Sequence, residues 1–179
     1  MAEHAASETN RRDFLYIWTG ALGAVAAGSA VIPLVSQMNP DASTIAAGAP
    51  IEVDLSQITQ GQVVTLKWRG KPIFVRHRTP KEIAESKAVQ VSSLPDPQSD
   101  EQRVGKFNGK PMEQWIVNIG ICTHLGCVPI ANSGEHHGWY CPCHGSHYDN
   151  AGRIRKGPAP RNLDLPPFAF DSESKVRIG

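Results

Sequence analysis

From Phe14 to Val35 the chain runs for 22 residues without an Asp, Glu, Lys, Arg or His. Few structures accommodate such a run. As an α-helix rising about 1.5 Å per residue it crosses the roughly 30 Å apolar core of a bilayer with its backbone polar groups satisfied internally. We therefore expect a transmembrane anchor over residues 14–35, preceded by a short N-terminus, 1–13. Arg11 and Arg12 stand directly before the run, and the next basic residue after it is Lys67. The positive-inside rule then places residues 1–13 in the cytoplasm and the rest of the chain outside it, a single-pass arrangement.

A cleaved secretory signal is the rival reading, since Ala24-Val25-Ala26 and Ala47-Gly48-Ala49 fit a small-residue cleavage pattern. The run is longer than the ~7–15 residue core of such signals, so an uncleaved anchor is expected. Asn10-Arg11-Arg12-Asp13-Phe14-Leu15 resembles a twin-arginine export signal, the route of proteins exported folded with their cofactor. Glu3, Glu8 and Asp13 argue against a mitochondrial presequence, which is poor in acids. Gly20, Ala24 and Gly28 recur on one helix face on which a second membrane helix can pack. With 18 basic and 17 acidic residues there is no global field to recruit nucleic acid.

Residues 36–50, rich in Asn, Pro, Asp, Ser, Ala and Gly, read as a flexible hinge or linker to a head over residues 51–179. Alternation in Ile51–Leu55 and the β-rich runs Val63–Trp68, Ile73–Val75 and Trp115–Ile119 predict strands. Further strands are expected near Trp139-Tyr140, Phe168–Phe170 and Lys175–Ile178. One short helix is signalled by Thr79 and Glu82 as a capping pair with Pro80 at the first helical position, ending near Ala88. Residues 92–111 read as an irregular excursion, and Gly152 and Gly157-Pro158-Ala159-Pro160 as turns. The expected fold is mainly β, an antiparallel sandwich or small barrel carrying a loop-built metal site.

That site is signalled by the cysteines, all four of which lie between Cys122 and Cys143. Cys122-Thr123-His124 and Cys141-Pro142-Cys143-His144 form two ligand pairs separated by 16 residues. Each pair offers one thiolate and one imidazole. A tetrahedral zinc that staples two loops and an iron-sulfur cluster both fit this set. In a cluster held by Cys122 and Cys141 at one iron and His124 and His144 at the other, neutral imidazoles replace anionic thiolates and raise the reduction potential. His136 and His137 read as a solvated loop tip, and His4 and His77 have no motif around them.

The two boxes, Cys122-Thr123-His124-Leu125-Gly126-Cys127 and Cys141-Pro142-Cys143-His144-Gly145-Ser146-His147-Tyr148, resemble those of the Rieske iron-sulfur subunit of bacterial cytochrome bc complexes, the ubiquinol-cytochrome c reductases. The resemblance extends through Gly157–Pro160 and the anchor-linker-head layout. The excursion from Arg78 to Lys110 resembles respiratory members. It implies one [2Fe-2S] cluster bound by Cys122, His124, Cys141 and His144 within a cluster-binding subdomain of about residues 120–160. It also implies a disulfide between Cys127 and Cys143 and hydroxyl donors at Ser146, to a cluster sulfide, and Tyr148, to a cysteine sulfur. Leu125, Gly126 and Pro158 are expected to form an apolar collar, with His147 facing away.

Functionally, the resemblance implies that His144 meets ubiquinol and takes its proton as the cluster takes one electron. The head then passes that electron to a c-type cytochrome subunit, and the linker lets it move. The implied partners are the cytochrome b and c-type cytochrome subunits, in a dimeric complex of the bacterial inner membrane, with the head periplasmic. The iron-sulfur subunit of another membrane oxidoreductase, such as an arsenite oxidase type, and a zinc-stapled anchor protein without redox chemistry are the alternatives.

Overall fold

The computed structural model describes residues 10–179; residues 1–9, with Glu3, His4, Glu8 and most of the expected N-terminal segment, lie outside the described residues. The chain divides into two compact units, one ending at Ile45 and the other spanning Ala46–Gly179. In the first, α1 (Arg11–Ser36, 26 residues) contains the apolar run and buries none of its residues. It starts three residues before that run because Asn10 caps it. The Asn10 side chain accepts the backbone N–H groups of Arg12 and Asp13 at 2.9 and 3.0 Å, and the Asp13 carboxylate accepts the Asn10 N–H at 3.1 Å. At 1.5 Å per residue the helix is about 39 Å long, enough to span a bilayer with its first turn in the interface. Arg12 lies over the Tyr16 ring and donates to its hydroxyl at 3.1 Å, a polar-aromatic pair suited to that boundary.

The stretch 36–50, read as irregular, contains a second helix, α2 (Ala42–Ala47). Asp41 makes it possible, accepting the Thr44 N–H at 2.7 Å and the Ser43 hydroxyl at 2.8 Å. Six residues carry too little periodicity to be legible as a helix.

In the head every strand pairing is antiparallel. One sheet runs in the order β1 (Ile51–Asp54), β12 (Lys175–Ile178), β11 (Phe168–Ser172), joining the two ends of the head. A second runs β2 (Val63–Trp68), β3 (Lys71–His77), β6 (Trp115–Ile119). The third has four strands, β10 (Ile154–Lys156), β9 (Ser146–Asp149), β8 (His137–Cys141), β7 (Ile130–Ser133). Between β3 and β6 lies α3 (Pro80–Lys87), capped by Thr79 and Glu82 as expected. A short hairpin follows, β4 (Lys106–Phe107) and β5 (Lys110–Pro111), turned at Asn108-Gly109. Both turn residues have positive φ, 49° and 77°, the two-residue hairpin turn that Asn-Gly favours.

The β2-β3-β6 sheet is apolar on both faces and serves two cores. Side chains alternate along a strand, so Ile73 and Val75 of β3 and Trp115 and Val117 of β6 point one way. They pack with Val53, Leu55, Trp68, Phe170, Val176 and Ile178, closing the sandwich. Phe74 and Ile116 point the other way, to Trp139, Tyr148, Ile154 and Leu163 of the four-stranded sheet and its loops. Cys122 and Cys141 belong to this second core.

The excursion is held by buried arginines. Arg78 grips the Asp100 carboxylate at 2.6 and 3.0 Å, and Ser86 donates to it at 2.5 Å. Arg103 donates to the carbonyls of Ala151 and Leu163, both at 2.6 Å, and Arg153 to Asp149 at 2.8 Å and Ser86 at 2.9 Å. These bonds fasten residues 96–104 across the segment 149–163 that backs the cysteine boxes. Burial raises the Asp100 pKa, but the hydrogen bond and charge of Arg78, with Ser86, outweigh it and hold the carboxyl below its ordinary range. A depressed folded-state pKa contributes stability at neutral pH that is lost as pH falls below about 4. Asp100→Asn leaves Arg78 buried without a counter-charge and should destabilise the head by about 3 kcal/mol at pH 7. Thermal unfolding checks this: the deficit should shrink in acid, and one that is the same at pH 3 and pH 7 would contradict the assignment.

Candidate metal centre

The two cysteine boxes fold into loops of one design. In the first, the Gly126 N–H returns to the Cys122 carbonyl at 3.0 Å; in the second, the Gly145 N–H returns to the Cys141 carbonyl at 3.0 Å. Both glycines take positive φ, 83° and 77°, which lets each chain double back within five residues. The first loop is closed again by the Cys122 N–H on the Cys127 carbonyl at 2.8 Å. A disulfide between Cys127 and Cys143 joins the loops.

Cys122 and Cys141 remain free thiols and are almost fully buried. The two thiols are near enough to shift one another's ionisation, and the Tyr148 hydroxyl stands 3.3 Å from the Cys122 sulfur. Burial pushes both thiols up. At Cys122 the donors, led by the Tyr148 hydroxyl, outweigh burial and lower the thiol, whereas Cys141 stays raised. The His124 and His144 rings lie 4.6 Å apart, edge to face. His124 is half-buried, with a buried Nδ1 that has no protein hydrogen-bond partner, and His144 is exposed.

These positions test zinc against a cluster. Among the described residues, the one group of three His, Cys, Asp or Glu side chains whose donor atoms all lie within 4.8 Å of one another is Cys127, Cys141 and Cys143. Two of those sulfurs are spent in the disulfide. Donors about 2.0–2.3 Å from one tetrahedral zinc would stand roughly 3.3–3.8 Å apart, a convergence that Cys122, His124, Cys141 and His144 do not make. They fall instead into a sulfur pair and an imidazole pair, which suits two metal ions with one pair each. The orphaned Nδ1 of His124 fits the same arrangement, because a buried polar atom without a partner calls for one.

β9 presents Ser146 and Tyr148 inward and His147 outward, where His147 accepts the Glu135 N–H at 3.2 Å and packs against Tyr140. Tyr148 Oη lies 3.3 Å from Cys122 Sγ and accepts the Thr123 N–H at 3.2 Å. The Thr123 hydroxyl donates to the Arg161 carbonyl at 2.6 Å, so its oxygen, 3.3 Å from Tyr148 Oη, can only accept there, and the phenolic proton is shared between that oxygen and the Cys122 sulfur. Burial and the neighbouring Cys122 raise the Tyr148 pKa, keeping it a donor. Ser146 Oγ accepts the Ala159 N–H at 3.2 Å, and its side chain is buried. The loop from Gly157 passes so close that a Cβ on Gly157 would sit 2.6 Å from Ser146 Cα. A third loop is thus stitched to both boxes, and the role of Thr123 in it has no signal in the sequence.

Leu125, Val128 and Ile130 are more than half exposed and, with exposed Gly126 and Pro158, give the loop region an apolar surface. Val128 and Ile130 extend the expected collar; their signal is two apolar residues flanking Pro129. Of the histidine pair read as a solvated loop tip, His137 is exposed and His136 is the one that differs. His136 is half-buried beside Arg155, and its pKa is lowered by burial and then by that charge. His137 starts β8, its carbonyl accepting Arg76 at 3.1 Å. Pairing to β9 opposite Asp149 fixes the His137 backbone while its side chain stays exposed, and His136 lies in the turn just before. His77 Nδ1 donates to the Ile58 carbonyl, 2.7 Å away, and the ring stacks on Trp115, a structural role.

Residues 51–168 match the family described as the Rieske [2Fe-2S] domain, about two thirds of the chain. The chain belongs to the Rieske [2Fe-2S] family. Residues 1–41 also match the ubiquitinol-cytochrome C reductase Fe-S subunit TAT signal, which with the apolar α1 fits a membrane-anchored subunit of a respiratory complex. The Rieske chain is similar to the ubiquinol-cytochrome c reductase iron-sulfur subunits of Bradyrhizobium diazoefficiens (61% identical, covering 98% of this chain and 97% of the relative) and Blastochloris viridis (53%, covering 100% and 98%). The mitochondrial Rieske subunit of the cytochrome b-c1 complex of Neurospora crassa is 49% identical over 93% of this chain and 70% of its own length. A chain of a hyperthermophilic respiratory Complex III shares the fold with a TM-score of 0.53 at 30% identity, covering 90% of this chain and 98% of that one.

The Rieske head needs β8 and β9 close together, since β8 ends at Cys141 and β9 begins at Ser146. Gly138 permits this: a Cβ there would strike the backbone of Tyr148 and Asp149. Gly138→Ala should destabilise the head by about 2–3 kcal/mol and reduce its iron content. An unchanged melting temperature in thermal unfolding would contradict this.

Proposed function

We propose that Cys122 and Cys141 hold one iron and His124 and His144 the other iron of the [2Fe-2S] cluster. The head then carries single electrons from ubiquinol to the c-type cytochrome subunit of a cytochrome bc complex, helping to build a proton-motive force. The observation that carries this reading is the split donor set, with both thiols buried in the second core and the exposed His144 ring against His124, on a pair of loops that also exposes apolar Leu125 and Val128. When bound, the cluster supplies a one-electron acceptor of raised potential, because imidazole replaces thiolate at one of its irons.

The chain's own residues supply the rest. An exposed imidazole at an apolar surface can take a hydrogen bond, and then the proton, from a quinol hydroxyl at its outer ring nitrogen. Leu125, Val128 and Ile130 would exclude water around that bond when the head rests on the cytochrome b subunit, where a dry contact strengthens it. Ser146 and Tyr148 aim hydroxyls at the sulfur side, so electron uptake is met by dipoles already in place. Arg11 and Arg12 in the first turn of α1 support a cytoplasmic N-terminus and a periplasmic head in the bacterial inner membrane, and the complex is read as dimeric. Residues 36–50 serve as the hinge on which the head of residues 51–179 travels between its two partner subunits.

The test is an electron paramagnetic resonance spectrum of dithionite-reduced membranes with and without a quinol-site inhibitor. A cluster signal that shifts with the inhibitor is expected; a signal indifferent to it would refute quinol contact. Tyr148→Phe removes one hydrogen bond to a charged sulfur, about 1–1.5 kcal/mol, and should lower the one-electron potential by roughly 40–65 mV. Ser146→Ala should act in the same direction. Redox titration reads both, and potentials equal to wild type would remove these residues from the site.

A further inference from the structure

The turn between β2 and β3 holds the head's end of the tether. Its Trp68 is almost fully buried and its indole N–H donates to the Ala49 carbonyl at 3.0 Å. The Arg69 N–H donates to the Ala47 carbonyl at 3.2 Å. The Arg69 guanidinium lies over the Trp68 ring, 4.5 Å from its centre, with Nε and Nη2 each 3.5 Å from the Gly48 carbonyl. Three consecutive tether carbonyls, 47 to 49, are therefore taken by two adjacent residues of one turn.

Arg69 stands there against its own backbone preference. Its φ is +48° and that of Gly70 +73°, a turn in which Asn or Gly is favoured at the first position and a longer side chain is strained. Strain kept at one residue directs attention to what its side chain does. Here the side chain grips the tether and covers Trp68.

We infer that Trp68 and Arg69 form a latch that sets the free length of the tether and so the travel of the head. They are positioning residues for electron delivery. With the latch closed, free tether amounts to the ten residues 37–46. Five extended at ~3.3 Å and five in helix at ~1.5 Å span about 24 Å. Opening the latch adds three residues, roughly 10 Å. The inference rests on the mobile-head reading above, and its test separates the two.

In the complete membrane complex, deletion of Gln37–Asn39 removes the same length that the latch withholds. Quinol-dependent cytochrome c reduction should fall at least tenfold. Adding Trp68→Phe with Arg69→Asn leaves a single backbone hydrogen bond on the tether and should restore the rate to within threefold of the undeleted complex. The double substitution without the deletion should change the rate less than twofold, since effective concentration falls only slowly with tether length. Asn suits the turn, so Arg69→Asn alone serves as the second variant should the pair lose the reduced-cluster resonance signal. A deletion defect that neither variant relieves would overturn the latch while leaving the mobile head intact. A deletion without defect would overturn the mobile head and the latch with it.

Discussion

The pairing of β3 with β6 is the contact on which the rest of the head depends. Its register sets Phe74 opposite Asn118, Val75 opposite Val117 and Arg76 opposite Ile116. Because strand side chains alternate, this one ladder supplies a wall to each of two cores. A slip of one residue would exchange the two faces, turning Phe74 and Ile116 toward the sandwich and leaving Trp139 and the cysteines without a floor. The β1-β12-β11 sheet closes one face, and the four-stranded sheet with its loops closes the other.

The metal centre is an outgrowth of the second core. Cys122, Cys141 and Tyr148 are packed among Phe74, Ile116, Trp139 and Ile154, while the histidines stand toward solvent on the same two loops. Such a site differs across its width. Its sulfur side is buried and meets the Tyr148 hydroxyl, and its imidazole side is accessible at His144. Rigidity comes from three closures: the disulfide, the paired Gly126 and Gly145 turns, and the Thr123–Arg161 bond to the third loop. The excursion 96–104 braces this assembly from behind through Arg78, Arg103 and Arg153. Buried guanidiniums are tolerable there because carboxylates and carbonyls meet them at close range.

Local signals were legible in the sequence. The apolar run of α1, the cysteine boxes, the Thr79–Glu82 cap of α3 and the β-branched strands each announce themselves within a few residues, and the family resemblance rests on the boxes. What escaped reading depends on distant partners. β9, Ser146-His147-Tyr148-Asp149, looks polar and has no strand signal of its own: Ser146 and Tyr148 are expected at the site through the family resemblance alone, and the bond of Asp149 to Arg153 has no local sign. The excursion reads as irregular because its order comes from single arginine side chains reaching across some fifty residues of sequence, as Arg103 does to Ala151 at a separation of 48. β7 has only Ile130 and Ala131 as apolar residues, and no local pattern encodes the half-burial of His136 in the turn before β8. The Asn108-Gly109 turn carried a readable hairpin signal within a segment whose prolines argue for disorder of pattern.

The central claim is that two pairs of donors, not one tetrahedral set, hold the metal. Iron and acid-labile sulfide, measured per chain on the purified complex together with zinc, test it most directly. Two irons and two sulfides for each copy of this chain, in excess of the haem iron and without stoichiometric zinc, are the predicted result. One zinc per chain with no sulfide would contradict it.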